Sequence, residues 1–155
     1  MVNKKSKLIK SKVTLKDYVE ANGQKYYVDN KKVVFETTNK EISIAVWISK
    51  KLNKKVEILP KVYKPENIKT ADYLIDNEKW DLKEITSSRN NAIYSRIRKQ
   101  KDQSPNFIID ISKSKLTIKS VVKQINNLSK DFNWVYMVLI KDRNEYEIIK
   151  KQKKS

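Results

Sequence analysis

Neither cysteine nor histidine occurs among the 155 residues, and glycine occurs once and proline three times. Without cysteine there is no disulfide, thiolate zinc site or thiol nucleophile. Without histidine there is no Ser-His-Asp hydrolysis, no histidine general acid or base, and no histidine-held metal. Catalysis is left to carboxylates, Lys, Arg, Tyr, or a hard metal held by oxygen. The scarcity of glycine excludes Gly-rich phosphate loops and long flexible linkers. No apolar run reaches the length of a transmembrane helix, and the N-terminal stretch lacks the apolar segment of a signal peptide.

What is abundant is positive charge. Thirty-five Lys and Arg stand against eighteen Asp and Glu, a formal net charge of +17, which on so small a body raises a positive potential over much of the surface. The expected partner is a polyanion, nucleic acid above all, because cations that neutralise phosphates release condensed counterions. An anionic membrane surface would suit the charge too, but neither end carries a strongly amphipathic basic helix. Residues 1–12, rich in Lys and Ser, read as a basic flexible arm. The length suits one domain over 13–155, with an N-terminal hairpin at 13–36 and a core at 37–150.

Tyr26-Tyr27-Val28 and Lys32-Val33-Val34-Phe35 flank Asp29-Asn30, a turn-forming pair, so a hairpin is expected there. Thr38-Asn39-Lys40-Glu41 fits a helix capping box, and Ala45, Ile48 and Leu52 then share one face until Asn53. Short strands follow at 56–59, 70–75 and 79–85, with a turn at Asp76-Asn77. Ser87 or Ser88 would cap a second helix over 89–103, with Ile93 and Ile97 inward. The nearly continuous apolar run 106–111 predicts a strand buried on both faces. A third helix over 116–132 buries Val121, Val122, Ile125 and Leu128, and strands follow at 134–140 and 145–149. The order is hairpin-α-β-β-β-α-β-α-β, an α/β (α+β) chain whose Trp47, Trp80 and Trp134 sit in apolar, core-like patterns.

Side chains alternate along a strand, so Asp81 and Lys83 project to one side, with Trp80 and Leu82 to the other. Counting outward from the Asp76-Asn77 turn sets Asp72 opposite Asp81. Two converging carboxylates repel unless a cation separates them, and oxygen ligands without His or Cys suit Mg²⁺ or Mn²⁺. Glu41, on the same helix face as Ala45 and Ile48, is either a third acid or only the capping glutamate of its helix. After the second strand, Ser87, Ser88, Asn91, Arg98, Lys99 and Gln103 offer donors for a substrate backbone, near a helix N-terminus that favours phosphate.

A Glu on a first helix, an Asp on one strand and D/E-x-K on the next resemble the restriction-endonuclease-like PD-(D/E)XK superfamily. More narrowly, Lys69-Thr70-Ala71-Asp72-Tyr73-Leu74-Ile75-Asp76, followed by Trp80-Asp81-Leu82-Lys83-Glu84-Ile85, resembles the C-terminal tRNase toxin domains of contact-dependent growth-inhibition proteins and of related polymorphic or phage-borne toxins. Ala71 stands where the superfamily name puts Pro. The resemblance implies a mixed central sheet flanked by helices and a metal-dependent endonuclease. It makes Asp72 and Asp81 the metal ligands, Lys83 the group that orients the attacking water, and Glu41 an aid to the metal or its water. It further implies tRNA as substrate, with DNA open, and action in the bacterial cytoplasm as part of a secreted or phage-borne polypeptide. A monomer with an acidic immunity protein on its basic groove of Arg89, Arg96, Arg98 and Lys99 completes that expectation.

Two other readings stay open on the residues alone. One is a metal-free ribonuclease using Lys, Arg and Tyr, which would work in EDTA. The other is a non-catalytic nucleic-acid-binding module, for which charge suffices.

Overall fold

The computed structural model describes residues 12–100, 104–128 and 132–150. The chain falls into two compact units, 1–79 and 80–155. The expected basic arm lies, except for Lys12, outside the described residues, as do Gln103 and the tail at 151–155.

In the first unit, β1 (Val13–Leu15) runs parallel to β5 (Val56–Ile58), and β5 antiparallel to β7 (Tyr73–Ile75). The hairpin is formed by β2 (Tyr18–Ala21) and β3 (Gln24–Tyr27), one turn earlier than the sequence suggests. Its turn residues Asn22 and Gly23 have φ of 53° and 77°, the paired left-handed conformation that two-residue hairpin turns require. The expected hairpin at Asp29 does not form. Asp29 Oδ1 accepts the N–H groups of Lys31, Lys32 and Val33 at 2.8, 2.7 and 2.9 Å, a local turn, while β4 (Val33–Val34) pairs with β6 (Lys61–Val62). Val19, Val33, Leu59, Val62 and Ala71 form the small core that this pairing closes.

Helix α1 (Asn39–Leu52) begins at Thr38, whose hydroxyl oxygen accepts the Glu41 N–H at 3.1 Å, and stops at Asn53 in the left-handed conformation. Ile42, Ile44, Ala45, Ile48 and Ser49 are buried along it; Ala45 and Ile48 keep the face expected from their spacing, whereas Leu52 at its end is only half-buried.

The second unit is organised on β8 (Glu78–Glu84), β9 (Asn106–Asp110), β10 (Met137–Asp142) and β11 (Glu145–Lys150). The first three are parallel, and β11 returns antiparallel along β10. Every residue of β9 is buried, as a strand covered on both faces requires. Two helices complete the unit, α2 (Ala92–Ile97), continued by a 3-10 turn over Arg98–Gln100, and α3 (Ile118–Asn127). Ile93, Ile97, Phe107, Ile109, Val121, Ile125, Val138 and Ile140 share one core, and Trp134 lies edge-on to Phe107 with ring centroids 5.8 Å apart.

Helix α2 is much shorter than the expected 89–103. No side chain caps it at Asn91, the Ser87 hydroxyl oxygen accepts the Arg89 N–H at 3.1 Å upstream of it, and Ala92, Ile93 and Ile97 alone are buried along it. So short a helix draws its stability from packing, and ends where packing does. Helix α3, by contrast, starts with a reciprocal box between Thr117 and Ser120. Both units carry mixed pairings, and the architecture is α+β. Among the described residues no helix is long and apolar enough to cross a membrane.

Candidate active site

The first unit gathers Glu41, Asp72 and Lys61. Asp72 occupies the bend that leads into β7, and its carbonyl accepts the Leu59 N–H at 3.0 Å. Next to it, the Tyr73 hydroxyl donates to the Glu41 carbonyl at 2.7 Å, which ties the first turn of α1 to the start of β7. Lys61 Nζ stands 2.6 Å from Asp72 Oδ1.

Glu41 plays the cap role, with Oε1 accepting from the Thr38 hydroxyl at 3.2 Å. Its other oxygen, Oε2, is buried with no hydrogen-bond partner. Burial, and after it the negative charge of Asp72, push the Glu41 carboxyl above its ordinary value, against the smaller pull of Lys61 and Thr38. Capping and closeness to Asp72 therefore coexist in one side chain.

The second unit holds Asp81 and Lys83. Period-two alternation along β8 brings them to one side, and Lys83 Nζ lies 2.7 Å from Asp81 Oδ2. The Asp81 side chain is 4% exposed and that of Lys83 13%. In register, Asp81 neighbours Phe107 and Lys83 neighbours Ile109, so the pair borders the apolar core. Charges so placed are costly to desolvate, and they persist because each compensates the other.

Beyond β8 a cleft of about 280 Å³ is lined by Glu84, Ser87, Arg89, Asn91, Ser95 and Arg96 among others. Of the expected substrate contacts, Ser87 and Asn91 line it. Ser88 is an exposed neighbour, and Arg98 and Lys99 are exposed on the 3-10 turn. Gln103 lies outside the described residues. Sequence reading passed over Lys61, whose strand of two residues follows a proline and gives no pattern. Arg89 and Arg96, expected in the basic groove, line this cleft with Ser87.

The donor chemistry suits a hard divalent cation. Glu41 offers a buried unpartnered oxygen beside the charge of Asp72, and a cation would relieve that repulsion. Among the described residues no group of three or more acidic side chains makes a ready cage. That is compatible with Mg²⁺, which keeps waters and uses one or two carboxylates plus substrate phosphates.

The fold is shared with a solved structure, the CdiA-CT/CdiI toxin and immunity complex from Burkholderia pseudomallei. The two chains superpose with a TM-score of 0.61 at 21% identity, over 89% of this chain and 99% of that one. No curated protein matches the sequence. The chain belongs to the contact-dependent growth inhibition CdiA C-terminal domain family, whose pattern spans residues 69–153. Asp72, Asp81 and Lys83 fall inside that stretch, and Glu41 outside it.

Proposed function

We propose that the chain is a toxin domain that hydrolyses phosphodiester bonds of tRNA, as a metal-dependent endonuclease of the PD-(D/E)XK kind. The observation that carries this is the Asp81–Lys83 pair at 2.7 Å, withdrawn from water, in a chain of net charge +17 that has no histidine. Asp81 would serve as a ligand of a divalent cation, as would Asp72 with Glu41 beside it. When bound, that cation offsets phosphate charge and lowers the pKa of a water. Lys83 holds a positive charge at a fixed point and orients the attacking water toward phosphorus. Ser87, Asn91, Arg89 and Arg96 bind the flanking backbone, while Ser88, Arg98 and Lys99 extend the positive surface.

A toxin of this kind requires an inhibitor in its producer. The solved structure of like fold is a toxin and immunity complex, and the basic surface of this chain suits a partner with an acidic face. Action on tRNA places its work in the cytoplasm of the target cell.

One observation favours a second reading. Lys61 and Lys83 each lie against a carboxylate, as a lysine-based, metal-free ribonuclease would also need. Incubating the purified chain with total tRNA, ribosomal RNA and plasmid DNA, in Mg²⁺ or in EDTA, separates the readings. Cleavage of tRNA in Mg²⁺ alone supports the proposal, undiminished cleavage in EDTA moves it to the lysine mechanism, and no cleavage of any substrate removes it.

A further inference from the structure

The β2–β3 hairpin carries chemistry that the proposed hydrolysis does not use. Tyr18 faces Tyr27 across the ladder, and Glu20 faces Lys25. Val19 and Ala21 turn inward and are buried, so Tyr18, Glu20, Lys25 and Tyr27 make the outward face. The two tyrosine rings stand 5.2 Å apart at an interplanar angle of 40°. Lys16 Nζ lies 4.6 Å from the centre of the Tyr18 ring and Lys25 Nζ 5.0 Å from it. Tyr27 is 56% exposed, a large aromatic surface left to water on a strand with no partner on its far side among the described residues.

We infer that this face is a stacking surface for an unpaired base of RNA, with Tyr27 under the base and Lys16 and Lys25 beside the flanking phosphates. Three physical points carry it. A tyrosine ring offers any base a π-face, and stacking is indifferent to sequence. Ammonium groups held against the neighbouring ring stand at fixed places, so little side-chain freedom is lost when a phosphate arrives. Glu57, 3.2 Å from Lys16, holds that lysine in place, and Glu20, 4.0 Å from the exposed Lys25, trims its charge. The contact is therefore weaker in charge and richer in stacking than the arginine-lined cleft, which selects single strands over duplex. That RNA is the nucleic acid concerned rests on the proposed function. The stacking itself does not.

The test uses the full chain in EDTA with two fluorescent probes, a short 2′-O-methylated oligouridylate and a blunt RNA duplex of equal length. Fluorescence anisotropy should show Tyr27→Ala losing roughly tenfold in affinity for the single strand with the duplex unchanged, and Tyr27→Trp retaining both. Parental affinity of Tyr27→Ala for the single strand, or equal losses on both probes, overturns the inference. A chain that shows the Tyr27 effect yet cuts no tRNA keeps the stacking surface and loses the nuclease reading, and the converse result does the opposite.

Discussion

Lys83 Nζ and Asp81 Oδ2 stand 2.7 Å apart with both side chains largely removed from solvent. A pair in this position is expected to matter for stability as well as chemistry. Lys83→Ala leaves a buried carboxylate uncompensated, at a cost of about 3–5 kcal/mol, whereas replacing both members by apolar groups of similar volume is near neutral. Urea denaturation of Lys83→Ala and of the Asp81→Leu/Lys83→Met double variant checks this. Equal stability of Lys83→Ala and the parent would mean that the pair is solvated.

Glu41 gives a pH dependence whose sign follows from its raised carboxyl. Its ordinary value is 4.5, and the folded value lies higher, through burial first and Asp72 second. The folded state thus holds this proton more tightly than the unfolded state. Stability is fully supported below the ordinary value and falls as pH rises from there through the folded value. Glu41→Gln, which keeps the cap, should have a higher Tm than the parent at neutral pH, and the gap should close in acid. A gap that is constant with pH would contradict the assignment.

Asn106 tests a polar contact in the core. It is 1% exposed, and its Oδ1 accepts the Met137 N–H at 3.1 Å. Asn106→Ala strands that donor and should cost about 1–3 kcal/mol, seen as a lower urea midpoint with an unchanged slope.

The basic surface predicts steep salt dependence. Raising salt from about 50 to about 200 mM should weaken tRNA binding by roughly three orders of magnitude if some six phosphates are neutralised. Filter binding in EDTA measures it, and a flat profile would refute the polyanion argument.

How much of this was legible in the sequence depends on whether the signal was local. Thr38, Glu41 and Asn53 announced α1 because capping acts within four residues, and Asp81 with Lys83 announced a shared face because strand period is two. The family expectation also reached its level: the growth-inhibition family is established, whereas the wider superfamily, metal and substrate stay with the proposal. The hairpin was misplaced because two candidate turns compete in one stretch. Asn22 and Gly23 win by their left-handed backbones, while Asp29 spends its carboxylate on three nearby N–H groups. Lys61 was invisible because its pairing with Asp72 is set by chain folding between two short segments, which no periodicity encodes.

The central claim is tested most directly by tRNA cleavage with the Asp81→Asn variant, whose shape is close to the parent's. Purified parent and variant are incubated with total tRNA in Mg²⁺, and the cut ends are read on a gel, with circular dichroism verifying that both are folded. The account predicts cleavage by the parent and a loss of at least a hundredfold, roughly the scale at which a general acid-base or charge-stabilising group acts, in folded Asp81→Asn. Cleavage by Asp81→Asn at the parental rate would contradict it.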